Sequence, residues 1–302
     1  MSLLTPEAAS DYLKPDNSRL EELKARYAKV STDATAPLHW TDSYVTAEEI
    51  LQFRGDNAYV WQLRGDNMTA GAYALAAYYI ESIDHLGLID RLKEDGLFGA
   101  CTFDIGGRVV SRDLLDSILE IHFLEKHLGI SSREDFTVLD IGAGYGRLAH
   151  RMLAGLPNIR EYLCTDAVPV STFLSEYYLR FRGLQDRATV VPLDEIESAL
   201  GSRKVNLAIN IHSFTECHLP AIEWWLSLLA SHGVEYLMLV PNACDHGGRR
   251  LENNDGRDFS DIVERHGYRL VAMEPKYRDP VVHANAINPT FHHLFKLQKS
   301  SP

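Results

Sequence analysis

The stretch FTVLDIGAGYGRLAHRM, residues 136–152, decides the fold. It opens with a short apolar run, Phe136–Ile141, whose length and composition predict a buried strand. Glycines follow at Gly142, Gly144 and Gly146, and the rest of the stretch has the pattern of an amphipathic helix. A strand that passes through a glycine-rich turn into a helix is the setting in which many α/β proteins bind a nucleotide.

The alternation of strands and helices continues to the C-terminus. Further strands are predicted at Glu161–Thr165, Ala188–Val191, Val205–Ile211, Val234–Val240, Tyr268–Met273 and Phe291–Leu297. Helices are predicted between them at Tyr145–Ala154, Val170–Phe181, Glu195–Leu200, Leu219–Ser231 and Phe259–His266. This pattern predicts an α/β fold with a doubly wound, mostly parallel seven-stranded sheet. We expect the last strand to be antiparallel and to form a hairpin at the edge of the sheet.

The first 130 residues lack this alternation and are predicted to be helical. The expected helices are Glu7–Leu13, Ser18–Val30, Thr46–Phe53, Ala70–Leu92 and Arg112–Leu128, the last ending at Gly129. The chain therefore divides into a helical N-terminal cap, residues 1–130, and a cofactor-binding domain, residues 131–302. We expect the cap to close over the substrate, and it would also suit a homodimer interface.

Two features of the cap are candidates for its function. The tetrapeptide Arg-Gly-Asp-Asn occurs at 54–57 and again at 64–67, which predicts two turns; alternatively, Arg54 or Arg64 lines a pocket. The aromatic residues of loop-like stretches are the better candidates for contact with a sugar or a flat ring. They are Trp40, Tyr44 and Trp61.

The composition is that of a folded globular protein. Of the 302 residues, 45% are hydrophobic and 24% are charged, which excludes a disordered chain. No apolar run approaches the roughly 18 residues that cross a bilayer, and the first residues lack the basic start of a secretory signal. The four cysteines form no C-x-x-C pair. We therefore expect a cytoplasmic protein without disulfides or a zinc site.

The net charge of −12 is concentrated in the cap. Residues 1–130 hold 21 acidic and 12 basic residues, whereas residues 131–302 hold 21 and 18. Proteins that bind nucleic acid usually present a basic face, and this sequence has no cluster of lysine and arginine. The balance indicates a small, neutral or cationic substrate and no nucleic acid partner.

The spacing of the glycines distinguishes two classes of cofactor. Dinucleotide-binding turns follow G-x-G-x-x-G, but here the third glycine comes one residue early and Arg147 takes its place. A nicotinamide dehydrogenase is therefore disfavoured. Glycines at 142 and 144 would adopt unusual dihedrals and let a ligand approach the backbone closely. The free amides at the start of the helix would hold a carboxylate or a phosphate.

The acid followed by G-x-G-x-G resembles the first motif of class I S-adenosylmethionine-dependent methyltransferases. The resemblance implies S-adenosyl-L-methionine as cofactor and a Rossmann-like methyltransferase fold. The turn residues implied to lie beneath the methionyl part are Asp140, Gly142, Ala143, Gly144 and Gly146.

Other cofactor contacts are expected at the ends of the next strands. Asp166, followed by Ala167, ends the second strand, where a carboxylate accepts hydrogen bonds from both ribose hydroxyls. Leu193 and Asp194 follow the third strand and would contact the adenine, although Asp194 would equally serve as the N-cap of the next helix. Asn210 ends the fourth strand and is expected to face the methyl donor.

Three segments together resemble the sugar O-methyltransferase family of polyketide and polyether pathways. They are residues 136–152, IREYLCTDAVPVSTFLSEYYLR at 159–180 and NIHSFTE at 210–216. The resemblance covers roughly residues 110–240. It implies methylation of a sugar hydroxyl on a small molecule, often a glycosylated secondary metabolite such as an antibiotic. A phenol or another hydroxyl remains an alternative acceptor, and so does a non-catalytic binding protein with the same fold.

An alcohol becomes nucleophilic as its proton leaves, so a general base is expected near the methyl donor. His212, at the end of the fourth strand, is the first choice, because an unperturbed imidazole titrates near neutral pH. Glu216 would orient that imidazole or bind a sugar hydroxyl, or would merely be an acid favoured at a helix N-terminus. His246, after the fifth strand, is the second choice. Asp245, His246 and Glu216 match no known metal signature, so no metal is predicted.

Overall fold

The computed structural model describes residues 6, 8–35, 47–57 and 59–298. Seven strands in this part of the chain form one sheet, and two more form a separate hairpin. The hairpin strands are β1 (Phe103–Ile105) and β2 (Arg108–Val110). The sheet strands are β3 (Phe136–Ile141), β4 (Ile159–Thr165), β5 (Ala188–Val190), β6 (Leu207–Ile211), β7 (Tyr236–Val240), β8 (Tyr268–Pro275) and β9 (Phe291–Leu297).

The order of the sheet is β5-β4-β3-β6-β7-β9-β8. Neighbouring strands from β5 to β7 are parallel, and β9 runs antiparallel to both β7 and β8. The predicted doubly wound, mostly parallel seven-stranded sheet is therefore confirmed. The last strand is antiparallel and pairs with β8 at the edge as predicted, but β8 is the outer strand of that pair.

Helices cover both faces of the sheet. The helices before the sheet are α1 (Ala9–Tyr12), α2 (Ser18–Tyr27), α3 (Ala47–Leu51), α4 (Ala70–Ile83), α5 (Leu88–Arg91) and α6 (Arg112–Leu128). Those that alternate with strands are α7 (Arg147–Gly155), α8 (Pro169–Phe181), α9 (Ile196–Ser202), α10 (Leu219–Ser231), α11 (Ser260–Arg265) and α12 (Pro280–Asn285). Helix α6 ends as predicted at Gly129, whose φ of +59° suits a glycine at a helix C-terminus.

The cap differs from the prediction in two places. The expected all-helical region contains the β1–β2 hairpin, whose two loop residues, Gly106 and Gly107, both have positive φ. Two consecutive glycines are typical of such a tight hairpin loop. The long helix predicted over Ala70–Leu92 ends at Ile83, because Gly87, with φ of +64°, separates α4 from α5. The predicted N-cap Thr46 lies outside the described residues.

The cap and the sheet share their hydrophobic core. On one face, Leu20 and Phe53 belong to the same cluster of buried side chains as Leu139 of β3. On the other face, Ile80 and Leu115 pack with residues of β3, β4 and α7. Burial of apolar surface stabilises these contacts, so the N-terminal helices form part of the same packed body.

The two copies of the Arg-Gly-Asp-Asn repeat have different environments. Both lie in turns or bends, as predicted, and Arg64 is exposed beside Asp56. Arg54, however, is completely buried. Its Nε donates to Asp113 at 2.9 Å and its Nη2 donates to Glu94 at 2.7 Å. Arg54 thus joins the turn after α3 to Glu94 and to helix α6 within the cap, and it does not line the cavity at the carboxyl ends of the sheet strands.

No helix within the described ranges is long and apolar enough to cross a membrane.

Candidate functional site

A cavity lies at the carboxyl ends of β3, β4 and β6 and encloses about 1060 Å³ of empty space, counting the part open to solvent. This is where ligands bind in open parallel sheets. The sheet side is lined by residues 140–145, 147, 148, 166–168 and 171 and by residues 211–214, 216 and 217. The remaining lining residues are Ala34, Tyr59, Val60 and Trp225.

The glycine turn has the predicted unusual backbone. Gly142, Gly144 and Gly146 have φ values of +72°, +56° and +87°, a region that other residues enter at a cost. A Cβ on Gly142 would lie 2.1 Å from Oγ of Ser213, so only glycine fits there. A Cβ on Gly144 would lie 3.2 Å from the ring of Tyr59, which covers the turn from the cap side.

Most amides of the turn are already bonded within the protein. The N–H groups of Gly142 and Ala143 donate to the carbonyl oxygen of Thr165 at 2.9 and 3.1 Å, and the amide of Gly146 donates to Ala143 at 2.9 Å. The amides of Gly142, Ala143 and Gly146 are therefore not free to bind an anion. Helix α7 begins at Arg147 without a side-chain cap from the described residues, so its first amides are where an anion would bind.

Asp166 lies directly after β4, at the predicted position. Its Oδ2 accepts from the amide of Gly144 at 3.0 Å and its Oδ1 accepts from the amide of Val168 at 2.9 Å. These two bonds fix the orientation of the carboxylate beside the glycine turn. Ala167 lines the same wall of the cavity.

Asp140 is a buried acid at the end of β3. The hydroxyl of Tyr162 donates to its Oδ2 at 3.0 Å. Burial raises the pKa of the Asp140 carboxyl to about 7, and the bond from Tyr162 partly offsets that rise. Asp140 is therefore partly protonated near neutral pH.

Arg147 replaces the third glycine of a dinucleotide motif and has a structural role. Its guanidinium donates to both carboxylate oxygens of Glu120 at 2.9 Å and to Ser117 at 2.8 Å. This paired contact joins the start of α7 to helix α6. The side chain also forms part of the cavity wall.

Of the predicted cofactor residues, four are not among those that line the cavity: Gly146, Leu193, Asp194 and Asn210. Asn210 instead joins two strand ends: its Nδ2 donates to the carbonyl of Ile141 at 2.8 Å, and its Oδ1 accepts from the amide of Phe214 at 2.9 Å.

Helix α2 covers the chain after β5. The amide of Leu193 donates to the hydroxyl of Tyr27 at 2.9 Å. The carboxylate of Asp194 accepts from Arg26 at 2.8 and 2.9 Å. Asp194 is not an N-cap either, since α9 has Glu195 at that position. Leu193 and Asp194 therefore contact helix α2 of the cap. The sequence around these residues does not reveal that contact.

His212 lines the cavity on a strained backbone, with φ of +67°. Its amide donates to the carbonyl of Val240 at 2.7 Å, which holds the strand end in place. Nδ1 is buried and has no hydrogen-bond partner among the described residues. Burial and, to a smaller extent, the positive charge of Arg112 lower the pKa of His212 to about 3. The imidazole is therefore neutral at pH 7 and a weaker base than its residue type predicts.

Glu216 lines the same cavity. Burial raises its carboxyl pKa to about 7, and the negative charge of Asp166 contributes, whereas a hydrogen bond from Asn242 opposes the rise. No hydrogen bond joins Glu216 to His212 in the described part of the chain, so the predicted orientation of the imidazole by this carboxylate is not observed. Asp140 and Glu216 are both cavity acids with a pKa of about 7, which matches a neutral working pH, but the Asp140 carboxylate already accepts a hydrogen bond from Tyr162.

His246 is not brought to the cavity. It lies in the short helical turn Cys244–His246, and its Nδ1 accepts from the amide of Arg250 at 3.3 Å. The described residues contain no group of three or more His, Cys, Asp or Glu side chains placed to hold a metal ion.

The aromatic residues that the sequence predicts to line a pocket are not found in the cavity wall within the described residues. Trp61 is 54% exposed and lies outside the cavity, where it packs against Arg64. Trp40 and Tyr44 lie outside the described residues. The aromatic residues that do line the cavity are Tyr59, Tyr145, Phe214 and Trp225. Tyr59 belongs to the aromatic-rich start of the chain, but Trp225 lies on α10 and has no local signal.

Cys217 also lines the cavity and was not expected there. Burial raises the pKa of its thiol to about 12, so the thiol remains protonated and is not a nucleophile at neutral pH.

Comparisons with known proteins concern the fold. No protein-family model and no curated protein matches the sequence. The mostly parallel seven-stranded sheet with helices on both faces is a Rossmann-like fold. Among solved structures, the chain is similar to the [4+2]-cyclase SpnF, with 14% identity over 78% of this chain and 96% of that chain and a TM-score of 0.45.

Two other solved structures are similar at the same level. The mitomycin 7-O-methyltransferase MmcR has 17% identity over 61% of this chain and 57% of that chain, with a TM-score of 0.41. An S-adenosylmethionine-dependent methyltransferase from Clostridium acetobutylicum has 12% identity over 61% of this chain and 91% of that chain, with a TM-score of 0.42. At these identities the similarity concerns the fold alone.

Proposed function

We propose that this chain is an S-adenosyl-L-methionine-dependent O-methyltransferase that acts on a hydroxyl of a small molecule, with a sugar or a glycoside as the favoured acceptor. The observation that carries the proposal is the meeting of the glycine turn and Asp166 in one cavity at the carboxyl edge of the sheet.

The residues present fit the cofactor in part. Only glycine is tolerated at 142, and the turn brings its backbone to the cavity surface. The carboxylate of Asp166 stands beside that turn, where it would accept from ribose hydroxyls. The start of α7 would hold the amino-acid carboxylate. Leu193 and Asp194 are covered by α2, so an adenine contact there would require the helix to move.

Glu216 is the favoured general base of this proposal. When bound, the cofactor would supply an electrophilic methyl group on its sulfonium. The acceptor hydroxyl would lose its proton to the Glu216 carboxylate as its oxygen forms the new bond to the methyl carbon, and the carbon–sulfur bond would break to leave S-adenosylhomocysteine. A base with a pKa near 7 is well suited to this step, whereas one with a pKa near 3 is not. His212, the first choice from sequence, would then serve as a neutral hydrogen-bonding group.

The cap would complete the acceptor site. Ala34, Tyr59 and Val60 of the cap line the cavity opposite the sheet, so acceptor and methyl donor would meet between cap and sheet. Aromatic faces such as those of Tyr59 and Trp225 suit the C–H surface of a sugar. A phenolic acceptor would stack on the same rings and is the second candidate. Exclusion of water by the cap would strengthen the charge interactions in the site.

The test is transfer of a labelled methyl group from S-adenosylmethionine to a panel of sugars, glycosides and phenols. We expect one glycoside to be labelled, and Glu216→Gln to lower kcat by about 100-fold or more, as removal of a general base does. His212→Gln should lower kcat less. His246→Gln is the matched control outside the cavity and should leave kcat unchanged.

Two results would contradict parts of this assignment. Binding of S-adenosylhomocysteine without transfer to any acceptor would favour a non-catalytic binding protein. A greater loss of kcat in His212→Gln than in Glu216→Gln would return the general base to His212.

A further inference from the structure

A second cavity lies between helix α4, helix α6 and the end of β8, and it encloses about 720 Å³ with its open mouth. None of its described lining residues lines the first cavity. Its walls carry aromatic rings and imidazoles from three elements, together with three cationic side chains and one carboxylate. The polar lining residues include Tyr79, His122, Lys126, Glu274, Lys276, Arg278 and His292.

Positive charge is in excess at the mouth of this cavity. Lys126 and Arg278 both donate to the carboxylate of Glu274, the latter at 2.9 Å, and His127 contacts the same carboxylate at 3.0 Å. These cations lower the pKa of Glu274. The single negative charge of Glu274 balances only one of the two positive charges of Lys126 and Arg278. The side chains of Lys126 and Arg278 are 42% and 56% exposed, so both can turn toward a ligand.

The interior of the cavity presents the imidazole of His292. This side chain lines the cavity and is only 3% exposed. Its ring packs edge-on against Phe123, with centroids 5.2 Å apart. Burial and the charge of Lys276 lower the pKa of His292 to about 3, so the ring is neutral and carries one N–H.

Neighbouring polar groups are satisfied and therefore form a fixed frame around this donor. Nζ of Lys276 donates to Asp116 and to the carbonyls of Ile287 and Asn288. The imidazole of His122 is held by Asp84, with Nε2 at 2.7 Å from Oδ1.

We propose that this second cavity binds a small molecule that carries an oxyanion, a carboxylate or a phosphate, with Lys126 and Arg278 holding the oxyanion at the mouth and His292 donating from the interior. The aromatic rings of Tyr79 and Phe123 would contact the body of the ligand. The site is separate from the proposed cofactor cavity, so it does not depend on methyl transfer.

The test is NMR titration of the full chain labelled on histidine, with inorganic phosphate in one arm and benzoate in the other. We expect saturable shifts of the His292 ring with at least one probe, and the stronger probe identifies phosphate or carboxylate as the favoured group. The double variant Lys126→Gln/Arg278→Gln should raise the Kd at least about tenfold, because charge-assisted hydrogen bonds are lost. Both side chains are exposed, so the variant should fold.

Arg160→Gln is the matched control, since the side chain of Arg160 is 67% exposed and does not line this cavity. It should leave the Kd unchanged. The proposal is overturned if neither probe gives a saturable shift of His292, or if the double variant and the control bind equally well. The native protein, the double variant and the Arg160→Gln control should bind S-adenosylhomocysteine equally well. The outcome at the second cavity is therefore independent of the test of the proposed function.

Discussion

The amide of Gly144 donates a hydrogen bond to the carboxylate of Asp166 at 3.0 Å. This bond joins the turn after β3 to the end of β4, the two segments that a nucleoside cofactor would contact. The other oxygen of Asp166 accepts from Val168, so the carboxylate is held from both sides. The two segments therefore form one preorganised wall, which lowers the entropic cost of binding.

Gly142→Ala should damage this wall. The new Cβ would lie 2.1 Å from Oγ of Ser213 and would need a φ of +72°. Left-handed backbone alone costs about 1–2 kcal/mol for alanine, and the steric overlap adds to it. We expect a lower free energy of unfolding in urea and no measurable binding of S-adenosylhomocysteine.

Gly201→Ala is the control for this substitution. Gly201 lies in α9, and a Cβ there would meet open space. Alanine should keep the binding and raise stability by up to about 1 kcal/mol. Equal binding by both variants would show that the turn at 142 is not part of the cofactor site.

Asp140→Asn should change how stability depends on pH. The native carboxyl keeps its proton up to about pH 7, whereas the unfolded chain releases it near pH 4. Between these values the folded state binds more protons, so the free energy of unfolding of the native protein falls as pH rises. Asparagine removes this loss while still accepting from Tyr162.

We therefore expect Asp140→Asn to be more stable, relative to the native protein, at pH 8 than at pH 5. The gain is about 1.4 kcal/mol for each unit of the pKa shift, measured by urea unfolding at the two pH values. Asp135→Asn, at a side chain 84% exposed, is the control and should show no such difference. A constant offset across pH would mean that Asp140 ionises normally.

The two arginines of the repeat should respond very differently to replacement. Arg54→Met leaves the buried carboxylates of Glu94 and Asp113 short of a partner, and loss of a buried partner typically costs about 3–5 kcal/mol. Arg64→Met, at the equivalent exposed position, should cost less than about 0.5 kcal/mol. Urea unfolding of both variants measures the difference, and similar values would contradict the buried network.

Asp194 should contribute to the contact with the cap and not to cofactor binding. Its pair with Arg26 is partly exposed, so a double-mutant cycle of Arg26→Gln and Asp194→Asn should give a coupling of about 1 kcal/mol or less. Binding of S-adenosylhomocysteine should change by less than about threefold in Asp194→Asn. A large loss of binding in Asp194→Asn alone would restore the contact with adenine that the sequence predicts.

Local patterns predicted the sheet because each strand is a short apolar run bounded by turn residues. Phe136–Ile141, Phe291–Leu297 and Leu219–Ser231 have the boundaries that the sequence predicts. The β1–β2 hairpin was missed because its strands have three residues each, too few to show a period. Its Gly106-Gly107 pair was the available signal.

The candidate site was predictable only where chemistry and position coincide in the sequence. Asp166 and the glycine turn are recognisable because a strand end fixes where they lie. The environment of His212 is not local: its lowered pKa comes from burial and from Arg112, one hundred residues earlier in the chain. The contacts of Leu193 and Asp194 with α2 join residues still farther apart in the sequence, so no local pattern reveals them.

Calorimetric titration of the full chain with S-adenosylhomocysteine, with NAD as the comparison ligand, tests the central claim most directly. The account predicts saturable binding of S-adenosylhomocysteine, loss of that binding in Asp166→Ala, and no binding of NAD. Binding of NAD in preference to S-adenosylhomocysteine, or no heat with S-adenosylhomocysteine from the folded native protein, would contradict it.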